Sequence, residues 1–117
     1  MKTTAIVIDD DYDNVETFSD LLENHQISVI GKGYNGREAI DLYSKHSPDV
    51  VFVDVLMPES SGFHAIRNIK KINDKARIVA VTADLTESTK KKLINLKIHG
   101  IVYKPFDVKE ILNLVNN

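Results

Sequence analysis

Five short apolar runs alternate with segments of helical periodicity along the chain, and this alternation limits the available folds more than any other feature. The runs are rich in Val and Ile and are continuous, whereas a strand with one wet face would alternate apolar and polar residues. In chain order they are AIVI (5–8), ISVIG (27–31), DVVFV (49–53), RIVAV (77–81) and GIVY (100–103). Five such β-α units predict an α/β fold, a five-stranded parallel sheet with right-handed crossovers and helices on both faces.

The segments between the runs carry the start signals and the spacing of amphipathic helices. Three of them have a capping side chain three residues before an acid, in the pairs Asp13 and Glu16, Asn35 and Glu38, and Asp107 and Glu110. The third helix is predicted to begin after Gly62 and the fourth near Thr86. The residues expected to face the core are Val15, Phe18, Leu21, Leu22, Ala39, Ile40, Tyr43, Phe63, Ile66, Ile69, Leu85, Leu93, Leu96, Ile111, Leu112, Leu114 and Val115.

Composition narrows the class of protein further. A chain of 117 residues, 43% hydrophobic, is long enough for one ordinary core, so we expect a single domain over residues 1–117. The net charge of −2 gives no electrostatic reason to expect nucleic acid or a membrane as a partner. The absence of cysteine excludes disulfides and thiolate metal sites. No segment resembles a signal peptide or a membrane span, so we expect a cytoplasmic protein.

Polar or charged residues stand at the carboxyl ends of four of the five predicted strands. They are Asp9 and Asp10 after the first, Asp54 after the third, Thr82 after the fourth and Lys104 after the fifth. In an open parallel sheet these ends form the ligand crevice, which is deepest where the strand order reverses. If the strand order is 2-1-3-4-5, the first and third strands are neighbours at that reversal, and their three carboxylates lie close together.

Carboxylates gathered in this way require cations. Two unit charges about 4 Å apart repel by roughly 4 kcal/mol at an effective dielectric of about 20. Lys104 supplies one positive charge, and a set of oxygen donors without cysteine favours Mg²⁺ (or Mn²⁺) over zinc as the second. The histidines, which a transition metal would prefer, all fall away from the strand ends, at His25, His46, His64 and His99. A single Asp after a strand is most often a helix cap, so this prediction depends on the convergence of all five residues.

Four short motifs occupy these strand ends in order: IDD at 8–10, DVLMPESSG at 54–62, VTA at 81–83 and KPF at 104–106. With them the whole chain resembles the receiver domain of two-component response regulators, in its CheY-like, stand-alone form. The resemblance implies the flavodoxin-like topology with strand order 2-1-3-4-5. It also implies a cis peptide bond between Lys104 and Pro105.

The same resemblance implies a role for each site residue. Asp54 corresponds to the phosphoacceptor, which takes a phosphoryl group from a histidine kinase or a phosphotransfer protein. Asp10, Asp54 and the backbone carbonyl of Leu56 correspond to direct Mg²⁺ ligands, and Asp9 to a ligand that acts through a metal-bound water. Thr82 and Lys104 correspond to the groups that bind the phosphoryl oxygens. The resemblance further implies a signalling protein rather than an enzyme, whose target binds the face formed by the fourth helix, fifth strand and fifth helix.

Three other functions remain open at this point. A pseudo-receiver would bind partners without phosphorylation, and Ile101 keeps this possibility open because the family often has an aromatic switch residue there. A phosphatase of the haloacid dehalogenase type would need an acid two residues after its nucleophile, where Leu56 stands. An FMN carrier would share the topology, but three acids after the first strand would repel its phosphate.

Two further hypotheses concern residues near the site and on the fourth helix. We hypothesise that Leu56 shields the acyl phosphate from water and that Asp84 helps to orient a water molecule, so that both affect the phosphate lifetime. The basic run Lys90–Lys92 is most simply a solvated helical face, and the alternative is that it contacts an acidic partner.

Overall fold

The computed structural model describes residues 2–116, and of Ser60 it describes the backbone alone. The strands are β1 (Thr3–Ile8), β2 (Ile27–Gly33), β3 (Val50–Asp54), β4 (Ile78–Thr82) and β5 (Gly100–Tyr103). The helices are α1 (Tyr12–Asn24), α2 (Gly36–His46), α3 (Ser61–Ile72), α4 (Glu87–Asn95) and α5 (Val108–Asn116). A short 3₁₀ turn, Pro58–Ser60, precedes α3.

The strands form one parallel sheet in the order β2-β1-β3-β4-β5, as predicted. Every residue of β3 and of β4 is buried, because these strands lie inside the sheet with helices on both faces. This arrangement explains why their sequences are continuous apolar runs. The strand reversal falls between β1 and β3, where the sequence predicted it.

Two apolar layers cover the sheet. On one face, α1 and α5 pack through Val15, Leu22, Ile111 and Val115 against the side chains of alternate strand residues. On the other face, α2, α3 and α4 contribute the second layer, which includes Ala39, Tyr43, Ala65, Ile66, Ile69 and Leu93. The predicted helical stripes therefore face the core, with two exceptions. Ile40 is only half-buried and is not among the residues of either layer, to which α2 contributes Leu42 instead, and the side chain of Leu85 is 71% exposed. Leu85 lies in the loop before α4, where the helical period on which the prediction relied does not apply.

The helix starts agree with the sequence in three cases and differ in two. Asn35 caps α2 by accepting a hydrogen bond from the Glu38 amide, and Thr86 caps α4. Asp107 precedes α5, and its carboxylate accepts from the Lys109 amide. The prediction for α1 was wrong: Asp11, in an extended conformation, is the cap, and Asp13 lies in the first turn. Helix α3 begins at Ser61, slightly earlier than predicted.

Gly62 fixes the distance between α3 and the end of β3. A Cβ atom at this position would lie 2.7 Å from the Asp54 carbonyl oxygen and 2.7 Å from the Val55 Cα. Glycine is thus the residue that lets the first turn of α3 pack directly on the strand that carries Asp54. Within residues 2–116, no helix combines the length and apolar character needed to span a bilayer.

Candidate functional site

Strand order and strand length together bring the predicted site residues to one edge of the sheet. Asp9 follows β1, Asp54 is the last residue of β3, and Thr82 is the last residue of β4. Lys104 follows β5 and reaches across β4 towards the two acids. Its Nζ atom lies 3.5 Å from Asp9 Oδ2 and 3.2 Å from Asp54 Oδ2. One ammonium group therefore pairs with two carboxylates from neighbouring strands.

The backbone holds the second oxygen of each carboxylate. Asp9 Oδ1 accepts a hydrogen bond from the Asp11 amide at 3.0 Å, and Asp54 Oδ1 accepts one from the Leu56 amide at 2.8 Å. Both acids are buried, at 7% exposure for Asp9 and 8% for Asp54. Because one oxygen of each is held by the turn after its strand, the other oxygen faces Lys104 in a fixed orientation.

Burial and charge shift the proton affinities of these groups. Desolvation raises the pKa of Asp54, and the Asp9 carboxylate adds to this rise, while the Leu56 amide and Lys104 oppose it. Burial alone would lower the pKa of Lys104, but the carboxylates of Asp54 and Asp9 outweigh it and raise that pKa. The ammonium thus stays charged, yet it does not fully offset the cost of burying the Asp54 carboxylate.

Thr82 is fully buried beside this group. Its position is one residue beyond Val81, which pairs with Asp54 in the parallel ladder. Its hydroxyl oxygen accepts a hydrogen bond from the Asp84 amide at 3.0 Å, and its carbonyl accepts one from the Lys104 amide at 2.8 Å. The backbone of the residue that follows β5 is therefore tied directly to the end of β4.

Two predicted residues lie at the rim rather than inside. Asp10 has an exposed side chain, because it points to the opposite side of the backbone from Asp9. Partial desolvation and the neighbouring Asp9 carboxylate raise the pKa of Asp10. Leu56 follows Asp54 in the turn, and its side chain is 52% exposed.

The donor set fits a hard divalent cation. Asp9, Asp54 and Asp10 offer carboxylate oxygens and the Leu56 carbonyl adds a neutral one, while the Lys104 ammonium pairs with Asp9 and Asp54. In the part of the chain that the structure describes, no three acidic or histidine side chains are already gathered as a metal cage. What supports a cation here is the gathering of oxygen donors with more carboxylates than ammonium groups, and the raised pKa values of Asp10 and Asp54, caused first by desolvation and then by the Asp9 carboxylate, agree with it.

A cavity of about 410 Å³ opens beside the acids, between α1 and the segment after β5. Asp9, Asp54 and Lys104 form its polar end, and its apolar walls include Phe18, Leu21 and Phe106. Phe18 contacts Phe52 and Phe106 edge-on, with ring centroids 5.2 and 5.5 Å away. The sequence predicted Phe18 and Leu21 as core residues, but no pattern indicated that they border the site. The Lys104–Pro105 peptide bond that turns the chain here is cis, as the resemblance implied.

Comparison with known proteins decides the family. The sequence model of the response regulator receiver domain matches residues 5–116 of this chain. The chain belongs to the response regulator receiver domain family. Among curated relatives, the chemotaxis protein CheY of Bacillus subtilis (strain 168) is 31% identical over 116 residues, which cover 99% of this chain and 97% of that protein.

Solved structures agree on the fold of this receiver domain. A response regulator receiver domain protein from Clostridium thermocellum superposes with a TM-score of 0.90 at 24% identity, covering 98% of this chain and 92% of that one. The CheX–CheY–BeF₃–Mg²⁺ complex from Borrelia burgdorferi gives a TM-score of 0.88 at 23% identity, covering 97% and 86%. The chain is thus a CheY-like receiver of two-component signalling.

Proposed function

We propose that this receiver accepts a phosphoryl group on Asp54 from a phosphohistidine of a histidine kinase or phosphotransfer protein. The observation that carries the proposal is the Lys104 ammonium between two buried carboxylates, 3.2 Å from Asp54 Oδ2. A carboxylate with raised pKa and one oxygen held by the Leu56 amide is a fixed nucleophile in a site deficient in positive charge. Such a site suits a transferring group whose oxygens need cations around them.

The transfer is a displacement at phosphorus. An oxygen of the Asp54 carboxylate forms a bond to phosphorus, and the phosphorus–nitrogen bond of the donor breaks. The imidazole leaves with that electron pair and takes up a proton. Lys104 already contacts Asp54 and would pair with a phosphoryl oxygen, while the Thr82 hydroxyl would donate to another. The product is an aspartyl phosphate. The ionised Asp54 has no proton to lose, so no residue of this protein has to act as a general base.

Mg²⁺ is the metal that these residues would hold, through Asp10, Asp54 and the Leu56 carbonyl, with Asp9 acting through a water molecule. When bound, it neutralises the carboxylates and the developing charge on the phosphoryl oxygens. The crystallised complex of the Borrelia receiver contains BeF₃ and Mg²⁺, which supports this assignment for the present chain. Mn²⁺ offers the same ligand preferences.

We propose that the target protein binds the face formed by α4, β5 and α5. Helix α4 presents exposed basic side chains at Lys90, Lys91 and Lys92 and an exposed Ile94, which is 57% accessible. An exposed apolar side chain next to a basic run suits an acidic partner with an apolar anchor. No turnover of an external substrate is expected, since the chain acts as a signalling receiver. Its cytoplasmic location stays a prediction.

The test is the mass of the intact protein after incubation with Mg²⁺ and a small acyl phosphate. We expect one added phosphoryl group, no gain without the metal, and no gain on Asp54→Asn. Asp49→Asn is the matched control, because this carboxylate lies at the opposite edge of the sheet, 2.8 Å from the Thr4 amide. It should be phosphorylated like the wild type.

A protein that gains no mass from acyl phosphates or from phosphorylated histidine kinases would refute the proposal. It would then have to be regarded as a pseudo-receiver. Steady release of inorganic phosphate from added phosphate esters would instead favour the phosphatase. Variants of Leu56 and Asp84 then measure their predicted effects on the lifetime of the aspartyl phosphate.

A further inference from the structure

The cavity between α1 and the segment after β5 is larger and more apolar than phosphoryl transfer requires. The transfer involves the acids and Lys104 at its polar end, whereas Phe18, Leu21, Phe52 and Phe106 are among the residues that line the rest of its volume of about 410 Å³. A volume of this size is typical of sites that bind small molecules. The apolar walls offer van der Waals contacts that would stabilise an occupant of matching shape.

The cavity opens to solvent at residues that are exposed on both sides of it. Asn14 and Thr17 line it from α1, and Pro105 lines it from the segment after β5. Phe18 and Phe106 are half-buried, and their rings contact each other edge-on across the gap between the helix and that segment. Aromatic rings in such positions bind a further ring favourably through their edges and faces. A small apolar group can therefore enter from the surface and pack against them.

The polar end of the cavity carries a net negative charge. Among the described residues that line the cavity, Asp9 and Asp54 supply two carboxylates and Lys104 supplies one ammonium, and the others are uncharged. A carboxylate oxygen can accept two hydrogen bonds, so Oδ2 of either acid can accept from a second donor beside Lys104. This end of the cavity also stabilises an ammonium, since the two carboxylates raise the pKa of Lys104 in spite of its burial.

The charge and the walls together select a class of ligand. A neutral apolar molecule would cover the two carboxylates without supplying a counter-charge, which is costly. An anion would add a third negative charge beside them. A small inorganic cation would pair with the acids but make no contact with the phenylalanines. An ammonium group attached to an apolar body complements both ends of the cavity.

We propose that this cavity binds a small organic cation, a primary ammonium on an aromatic or branched alkyl body. The ammonium donates to Asp9 and Asp54, and the body packs against Phe18, Leu21 and Phe106. This binding goes beyond the proposed function, because it requires neither phosphorylation nor Mg²⁺. Its regulatory consequence does rest on the proposed function: an amine paired with Asp54 covers the nucleophile, so it should slow phosphorylation.

The test is an NMR titration of the ¹⁵N-labelled full chain with 2-phenylethylammonium in the presence of a metal chelator. We expect saturable shifts of the backbone amides of Phe18, Leu21 and Phe106. The dissociation constant should be on the order of 0.1–1 mM, as the usual ligand efficiency allows for so small a molecule.

Two related molecules separate the contributions of charge and of the apolar body. 2-Phenylethanol keeps the ring but has no charge, and it should bind at least about tenfold more weakly, as for the loss of a hydrogen bond to a charged group. Ethylammonium keeps the charge but has no ring, and it should also bind at least about tenfold more weakly, as for the loss of one buried aromatic side chain.

Three variants locate the ligand. Asp54→Asn should weaken the binding of 2-phenylethylammonium about tenfold and leave that of 2-phenylethanol unchanged. Thr17→Trp places a large ring at the mouth of the cavity and should weaken the binding of both molecules. Asn24→Trp is the matched control, because Asn24 is an exposed polar residue at the end of the same helix and does not line the cavity. It should bind both molecules like the wild type.

The comparison of the three molecules on the wild type decides the proposal even if a variant fails to fold. No saturable shift, shifts confined to residues outside the cavity, or equal affinity for 2-phenylethylammonium and either related molecule would overturn it. A protein that binds the amine as predicted but gains no phosphoryl group from acyl phosphates or histidine kinases refutes the proposed function alone. A protein that is phosphorylated on Asp54 but shows none of the predicted shifts refutes this inference alone.

Discussion

At the amino edge of the sheet, charged side chains are matched by groups of the protein itself, whereas at the carboxyl edge two buried carboxylates share one ammonium. Asp49 accepts hydrogen bonds from the Thr4 amide and hydroxyl at 2.8 and 3.1 Å. Arg77 donates to the Leu114 and Val115 carbonyls at 2.9 and 3.2 Å. At the other edge, Asp9 and Asp54 both depend on Lys104. Asp49 and Arg77 thus have partners within the protein, whereas at the carboxyl edge we expect a further cation.

The cavities at the two edges differ in the same way. A groove of about 320 Å³ at the amino edge is lined by basic side chains that include Lys70, Lys75, Arg77 and Lys97. Lys70 donates to the Asp74 and Lys97 carbonyls, so its ammonium, like the guanidinium of Arg77, serves the main chain. The cavity at the carboxyl edge is lined by Asp9 and Asp54, which share the Lys104 ammonium, and the pKa of Asp54 is raised. Charge alone thus does not identify a site, and unmatched charge is the more useful criterion.

The largest effect on stability is expected from Arg77→Met. Its guanidinium binds carbonyls in the last turn of α5, and these bonds to a charged donor lose their partner in the variant. We expect the free energy of unfolding to fall by about 2–3 kcal/mol in urea denaturation. Arg67→Met, an exposed arginine on α3, is the control and should fall within about 0.5 kcal/mol of the wild type. Equal losses in the two variants would contradict the comparison between the edges.

Gly62→Ala tests how the carboxyl edge is held in shape. Alanine normally favours a helix over glycine by about 1 kcal/mol, but here its methyl group would lie 2.7 Å from backbone atoms of Asp54 and Val55. We expect a net loss of about 1–2 kcal/mol in unfolding free energy, together with slower phosphorylation because Asp54 is displaced. Lys71→Ala, at an exposed position of the same helix, should leave both quantities unchanged. A more stable Gly62→Ala protein would show that α3 can move away without cost.

A smaller effect of opposite sign is expected from Asp54→Asn without metal. Removing the buried charge relieves its desolvation and its repulsion with Asp9, although the attraction to Lys104 is lost. We expect stabilisation of about 1 kcal/mol at pH 7, seen as a melting temperature roughly 3–6 °C higher in the presence of a chelator. Asp49→Asn at the amino edge should instead lower the melting temperature, because the Asp49 carboxylate accepts from Thr4.

The difference in stability between Asp54→Asn and the wild type should depend on pH, and the sign of the Asp54 pKa shift gives the direction. The folded-state pKa of Asp54 is raised above 3.8, so folding is penalised once the carboxyl ionises. The penalty is complete above the raised pKa and disappears as the pH falls from there towards 3.8. The advantage of Asp54→Asn should therefore shrink in acid. An advantage that grows below neutral pH would contradict the assigned shift.

The sequence predicted most of the architecture, because continuous apolar runs identify buried parallel strands. It placed the ends less well where polar residues extend a strand. Thr3 and Thr4 belong to β1 since they pair with Ile27 and Ser28, which no apolar pattern reveals. The cap of α1 was misassigned because several consecutive acids could each fill it, and the direction in which the chain leaves β1 selects Asp11.

The site residues were predictable from their positions after the strands, and their contacts were not. Period-two alternation separates a buried Asp9 from an exposed Asp10, but the reach of Lys104 across β4 depends on side-chain geometry. The hydrogen bond between Asp84 and Thr89 also joins a loop to a helix and leaves no sequence pattern. The metal ligands, the phosphoacceptor role of Asp54 and the single-domain organisation stay predictions.

The central claim is that the carboxyl edge of the sheet takes up a cation from solution. Its most direct test is calorimetric titration of the full chain with Mg²⁺. The account predicts uptake of one Mg²⁺ ion by the wild type and by Asp49→Asn, and binding weakened at least about tenfold in Asp54→Asn, a difference of roughly 1.4 kcal/mol. Absence of Mg²⁺ uptake by the wild type, or equal affinity in the wild type and Asp54→Asn, would contradict it.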